Sequence, residues 1–238
     1  MTKLSLYSPQ SMTPPGTQED QQQQRHAGLT VEIGGWLFRH RTMIPVPFFL
    51  ALILVRAGEA PASIELIGGG AAMVVVGECV RLWGVHHIGA ISRTRSDRLG
   101  PLIAGGPFAY VRNPLYLGNI ALWVGFALIA RLVWMAPLLA LLLGLEYHAI
   151  VRWEEGLLAS RLGDAYRGYM TRVPRWIPTL RRTGREGYDG KTAHDSLSAS
   201  PAASVAESFS WRETFFSERG TLIAIVAGSA LLWLKARF

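Results

Sequence analysis

LYLGNIALWVGFALIARLVWMAPLLALLLGLEYHAI, residues 115–150, is the stretch whose reading decides the fold. Arg131 is its only charged residue before Glu146. Crossing a bilayer takes about 20 apolar residues, so neither 115–130 nor 132–150 can cross twice, and together they are too long to cross once. A helical hairpin turning near Arg131 and Pro137 resolves the mismatch.

Other apolar blocks lie on both sides. Residues 44–55 follow Arg39, His40 and Arg41 and end at Arg56. This run is short for a full crossing, so it reads as a span lengthened by snorkelling arginines, with a re-entrant segment as the alternative. Pro45 and Pro47 suit a helix start. Residues 61–80 carry Glu65 and Glu78 near the ends and Gly68-Gly69-Gly70 inside, small residues that allow helices to approach closely. Residues 221–234 form a terminal span or an interfacial helix. The pattern predicts an all-α, multi-span helical integral membrane protein with about five spans.

The composition agrees. Hydrophobic residues make up 50% of the 238-residue chain and charged residues only 17%, where soluble domains carry about a quarter charged. Collagen-like, disulfide-scaffold and wholly disordered chains are excluded. The net charge of +7 does not indicate nucleic acid, because the arginines flank apolar runs and do not alternate with stacking aromatics. A single cysteine, Cys79, excludes an intramolecular disulfide and a cysteine-cluster metal site; it reads as a small apolar packer. Residues 1–30 are polar and contain Gln21–Gln24, which predicts a disordered tail with no signal-peptide pattern. A membrane-embedded core over 36–182, a flexible Gly/Ser/Ala-rich linker over 183–210 and a membrane-anchoring helix over 211–238 complete the expected organisation.

Arginine placement orients the chain. Arg81, Arg93, Arg95, Arg98 and Arg112 stand against Asp97 alone in one loop, and residues 152–185 hold eight arginines. Both stretches belong on the cytoplasmic side, of the inner or plasma membrane in a bacterium. The chemistry-bearing regions therefore meet at one membrane face.

The first of these runs from Gly105 to Gly118, GGPFAYVRNPLYLG. Asn113 is a good N-cap and Pro114 a good first helical residue. That is how any helix can begin, but its unpaired N–H groups and positive dipole end also suit a carboxylate or phosphate. Gly-Gly-Pro lets the backbone approach a ligand closely. The second region holds Glu146, His148, Arg152, Glu154 and Glu155. On a helix Glu146, Ile150 and Glu154 share one face, and His148, Arg152 and Glu155 another. Adjacent glutamates at a helix C-terminus oppose the dipole and each other, so they need partners. Solvated pairing with arginines is one reading, and binding of a cationic or hydroxyl-rich ligand the other. Glu146 and His148 lie nearer the bilayer, where ionisable groups suggest function. His86 and His87 point about 100° apart on a helix and do not read as metal ligands.

The order Gly-Pro-aromatic, Arg-Asn-Pro-x-Tyr, hairpin, Glu154-Glu155, Gly163-x-x-Tyr166-x-x-Tyr169 and Val173-Pro174-Arg175-x-Ile177-Pro178 resembles the isoprenylcysteine carboxyl methyltransferase family over roughly residues 80–180. The resemblance implies a non-Rossmann, membrane-embedded methyltransferase that uses S-adenosyl-L-methionine. Its acceptor is a lipid or lipidated molecule entering from the bilayer, with no metal and no nucleic acid. Carried over by position, cofactor contacts fall on Leu102, Ile103, Phe108, Asn113, Pro114, Leu115, Tyr116 and Glu154. The family's usual histidine is Asn113 here, as in the related phosphatidylethanolamine methyltransferases, and its usual turn tyrosine is Phe108. The arginine that contacts the prenylcysteine carboxylate corresponds to Ile150. Arg152 and His148, with Glu146, are the nearby candidates for catalytic roles. Carboxyl O-methylation of an isoprenylcysteine or similar lipid carboxylate is the expected reaction. Phospholipid N-methylation, a non-catalytic lipid-binding role and a nicotinamide-dependent membrane reductase are the alternatives.

Overall fold

The computed structural model describes residues 32–89, 102–179 and 210–237. The polar tail 1–30, the loop carrying Arg93, Arg95 and Arg98, and the linker up to residue 209 lie outside the described residues. Within them the fold is all helical: α1 Glu32–His40, α2 Pro45–Leu54, α3 Ile64–Ile88, α4 Pro114–Ile129, α5 Met135–Leu162, α6 Asp164–Arg172 and α7 Trp211–Lys235, with a 3-10 turn at Gly106–Ala109.

Helices α3, α5 and α7 are long and apolar enough to cross a membrane. The run at 44–55 is neither a straight span nor a lone segment. α1 and α2 form one pair bent by 57°, and α2 starts at Pro45, as proline's fixed φ and missing N–H favour. Helix α4 has 16 residues and so spans roughly 24 Å. Among the described residues three helices, or four spans with the bent pair taken as one, are long and apolar enough to cross, fewer than the five expected, because α4 is a shorter apolar helix.

The hairpin turns at Arg131, which adopts φ 61°. A left-handed residue with a Cβ costs about 1–2 kcal/mol. Here the turn is offset by bonds from Arg131 N to Leu128 O and Leu132 N to Ala127 O, both 2.9 Å. Pro137 falls in the first turn of α5, where its missing N–H loses nothing. Helix α5 continues past Ile150 to Leu162 and carries Glu154 and Glu155 beyond the apolar stretch.

Helices α3 and α4 pack backbone to backbone. A Cβ on Gly70 would stand 2.8 Å from Gly125 O, and one on Gly77 2.7 Å from Gly118 O. Close approach therefore needs glycine on both helices. Of the expected Gly68-Gly69-Gly70 run only Gly70 serves this contact, since a Cβ on Gly68 or Gly69 would meet nothing. Cys79 is not a packer; it lies exposed on the outward face of α3.

Helix α7 is tied at both ends. At the Arg131 end of the bundle Lys235 donates to Leu52 O at 2.8 Å and Val55 O at 2.6 Å, and pairs with Glu59 at 3.0 Å. Glu59 also pairs with Arg131. At the other end Ser210 and Glu213 form a reciprocal capping box, and Glu218 pairs with Arg81 at 2.6 Å.

Candidate active site

The Gly-Pro turn is shaped by one glycine. Gly106 has φ 57°, and a Cβ there would run into the His87 imidazole. His87 is thus a packing residue of the turn, while His86 stacks on Trp211 with ring centroids 4.2 Å apart. The histidines serve different neighbours, and among the described residues no group of three or more His, Cys, Asp or Glu is placed to hold a metal.

The Val-Pro-Arg segment after α6 locks the turn in place. Arg112 N donates to Pro174 O at 2.9 Å, Thr179 N to Tyr110 O at 2.9 Å, and the Asn113 side-chain amide to Arg175 O at 3.2 Å. Tyr169 adds a buried bond from its hydroxyl to Phe108 O at 2.8 Å. Burial holds the Tyr166 and Tyr169 phenols above their ordinary pKa, so both stay neutral.

The adjacent glutamates have parted roles. Glu155 is buried and takes Arg112 Nη1 at 2.7 Å on Oε1, Arg175 Nε at 3.0 Å on Oε1 and Arg175 Nη2 at 2.6 Å on Oε2. It is paired with arginines, as one reading held, but away from solvent. Glu154 accepts the Tyr116 hydroxyl at 3.1 Å on each oxygen, and the Tyr116 ring stacks on Tyr147 at 4.7 Å.

All eight positions expected to contact cofactor line a single cavity of about 780 Å³. The elements that bring Leu102, Ile103, Phe108, Asn113, Pro114, Leu115, Tyr116 and Glu154 together are the turn, the start of α4 and the site end of α5. Asn113 occupies the N-cap position of α4 without a side-chain cap bond, because its amide turns to Arg175. The first N–H groups of α4 are left without that cap.

Glu146, His148 and Arg152 are not among the residues lining this cavity. Glu146 is buried on α5 with neither carboxylate oxygen hydrogen-bonded. His148 faces Trp176, whose indole N–H reaches Nδ1 at 3.4 Å. Arg152 is exposed. Ile150 is fully buried beside Phe38, Leu143 and Tyr147.

Three charged cavity residues lie outside the motifs read from the sequence. Arg41, between α1 and α2, packs its guanidinium 4.0 Å over the Phe38 ring and has no ion pair among the described residues. Arg81 and Glu218 enter from α3 and α7. For Arg81 a signal existed, since Glu78 three residues earlier on an apolar helix calls for a charge partner.

Apolar helices, a glycine-tight helix pair and one cavity inside the bundle are the frame in which these positions meet. A family model described as phospholipid methyltransferase matches residues 66–165, from α3 to the start of α6. The cobalt-zinc-cadmium resistance protein CzcN of Cupriavidus metallidurans is 28% identical over 163 residues, 65% of this chain and 71% of that protein. The nickel-cobalt-cadmium resistance protein NccN of Alcaligenes xylosoxydans xylosoxydans is 33% identical over 154 residues, 62% of this chain and 69% of that protein. The protein-S-isoprenylcysteine O-methyltransferase of Schizosaccharomyces pombe is 32% identical over 109 residues, 46% of this chain and 43% of that enzyme. No solved structure matches. The chain belongs to the family of membrane methyltransferases that its motifs resemble, the isoprenylcysteine carboxyl and phospholipid methyltransferases.

Proposed function

We propose that this protein transfers a methyl group from S-adenosyl-L-methionine to a lipid-like carboxylate, an isoprenylcysteine or a similar isoprenoid acid, at the cytoplasmic end of the bundle. The observation that carries the proposal is the convergence of the eight family positions on one cavity.

The residues present fit the cofactor. The uncapped N-terminus of α4 suits its carboxylate. Glu154, held by Tyr116, suits an ammonium or ribose hydroxyls. Leu102, Ile103 and Phe108 supply an apolar wall. Bound S-adenosylmethionine supplies a methyl already activated on a sulfonium. The protein's own work is then to position the acceptor and exclude water, and good positioning is worth about 7–11 kcal/mol.

Arg41 and Arg81 bring to the cavity the positive charge that Ile150 does not supply. A carboxylate acceptor with a pKa near 3.5 is already ionised at neutral pH and needs no base. An amine must first lose a proton. Glu146 and His148, the bases expected for that task, do not line the cavity, and the carboxylates that do, Glu154, Glu155 and Glu218, are engaged by Tyr116 and by arginines. This favours the carboxylate over phospholipid N-methylation.

Incubating the purified protein with methyl-tritiated S-adenosylmethionine and either an S-farnesylcysteine derivative or phosphatidylethanolamine tests the proposal. Tritium on the farnesylcysteine that alkali releases as methanol is the expected result. Alkali-stable label on phosphatidylethanolamine alone would establish the N-methylation alternative.

A further inference from the structure

Helix α7 lies outside the stretch matched to the family, yet it is a wall of the cavity. Glu218, Thr221, Ala224, Ile225, Gly228 and Leu231 all face it. The sequence suggested an anchor; the structure gives α7 a share in the site.

The cavity changes character along its length. Its first section holds Asn113, Tyr116 and Glu154. Next along α4 comes a polar layer. Arg81 donates to Asn119, to Glu218 at 2.6 Å and to Thr221 at 3.4 Å, and Thr221 donates to Glu218 at 2.9 Å. Arg81 Nε and both Glu78 oxygens have no hydrogen bond, although Nε lies 3.3 Å from Glu78 Oε2. Charged groups set among apolar helices are expensive and normally face a pathway or a ligand.

Beyond this layer the lining is apolar: Phe49 from α2, Leu122 and Phe126 from α4, Ile225 and Leu231 from α7. Gly228 keeps this section open. A Cβ on it would stand 3.2 Å from the Phe49 ring and 3.6 Å from the Phe126 ring. From Pro114 to Phe126 the cavity follows α4 for roughly 18 Å at the ordinary helical rise. Cofactor residues, a polar layer and an apolar lumen thus follow one another inside a membrane-spanning bundle. That sequence of environments matches an amphiphile lying head towards Glu154. The volume of about 780 Å³ is in the range of a single-ligand site, about 300–1,000 Å³.

We propose that α7 selects the acceptor: a single-chain amphiphile sets its polar head at Arg81, Asn119, Glu218 and Thr221, and its chain between Phe49, Phe126, Ile225 and Gly228. The methyl-transfer reading explains why a head should lie there. The placement itself is tested without any turnover.

The experiment uses the purified full-length protein and a long-chain fatty acid bearing a photoreactive diazirine at its chain end, with crosslinked peptides mapped by mass spectrometry. A Gly228→Leu variant fills the space beside Phe49 and Phe126. Chain-end label on residues 225–231, or on Phe49 or Phe126, is expected. It should fall by about fivefold or more in the variant, since added methylenes overfill a packed space. S-adenosylhomocysteine affinity, read at the other end of the cavity, should persist. Should Gly228→Leu not fold, Ile225→Trp blocks the same section. Label confined to outward residues such as Val75, Val76 and Leu141, or α7 label indifferent to a folded blocking variant, would overturn the proposal. Label on α7 without S-adenosylhomocysteine binding would leave the chain site standing and remove the methyl-transfer reading.

Discussion

Arg175 grips Glu155 through two hydrogen bonds, Nε to Oε1 at 3.0 Å and Nη2 to Oε2 at 2.6 Å. The hydrogen bond to Glu155 raises the Arg175 pKa further above its ordinary value, so the guanidinium stays charged. With Arg112 on the same carboxylate at 2.7 Å, the pair fastens the Gly-Pro turn, α5 and the segment after α6 to one buried point. Glu155 builds the site, and its neighbour Glu154 faces what the site holds.

Removing that point should unfold the site. Glu155→Ala leaves two guanidinium groups without their shared carboxylate, and breaking a buried pair costs about 3–5 kcal/mol. Arg175→Lys keeps the charge but loses the planar fork, so it should fall between wild type and Glu155→Ala. Chemical unfolding in detergent micelles measures both. A Glu155→Ala protein as stable as wild type would contradict this assignment.

Gly106 is required for two separable reasons, its positive φ and the His87 ring against it. Gly106→Ala should lose about 1–2 kcal/mol from the backbone conformation alone, with more from the clash. Adding His87→Ala should recover the steric share and leave the backbone share. Full recovery in the double variant would show that the conformation at Gly106 is not strained for alanine.

Glu59 sets an acid limit on the far end of the bundle. Burial works against its ionisation, but the hydrogen bond from Lys235 and the charges of Lys235, Arg131 and Arg56 outweigh it and hold the pKa below 4.5. A depressed folded pKa gives stability that is present above the unfolded value and lost as pH falls through the folded one. Wild-type melting temperature should therefore drop below about pH 4.5. Glu59→Gln should start lower at neutral pH and lose less on acidification. Parallel acid profiles for the two proteins would remove Glu59 from this role.

Much of the fold was legible because hydrophobic length and charge placement speak directly to a bilayer. The break at Arg131 gave the α4–α5 hairpin, and Pro45 marked the start of α2. The meeting of the eight positions at one cavity was legible as an ordered set, since each motif sits on a local turn or helix end. What the sequence hid was tertiary. Nothing local tells that Glu155 folds inward onto Arg112 and Arg175 while Glu154 faces the cavity. Arg41 comes from the bend between α1 and α2, Arg81 from α3 and Glu218 from α7, and Glu218 lies 137 residues from its partner Arg81. Arg152, His148 and Glu146 drew notice through closeness in sequence, but none of them lines the cavity that Glu154 and Glu155 reach from the same helix.

The arginine distribution predicts that Asp164–Arg172 lies on the cytoplasmic side. In a Cys79→Ser background, a cysteine introduced in α6 should react with a membrane-impermeant thiol reagent only from the cytoplasmic side, as should one in the 93–98 loop. Labelling of the two from opposite sides would end the single-face site.

The central claim is that the cavity between the α4 N-terminus and Glu154 is a site for S-adenosylmethionine. Calorimetric titration of the purified protein with S-adenosylhomocysteine, and in parallel with NADPH, tests it most directly. The account predicts that S-adenosylhomocysteine binds and NADPH does not. It also predicts that Glu154→Gln weakens binding by about 1.5–3 kcal/mol, the range for losing a hydrogen bond to a charged group. Binding of NADPH in place of S-adenosylhomocysteine, or an unchanged affinity in a folded Glu154→Gln protein, would contradict it.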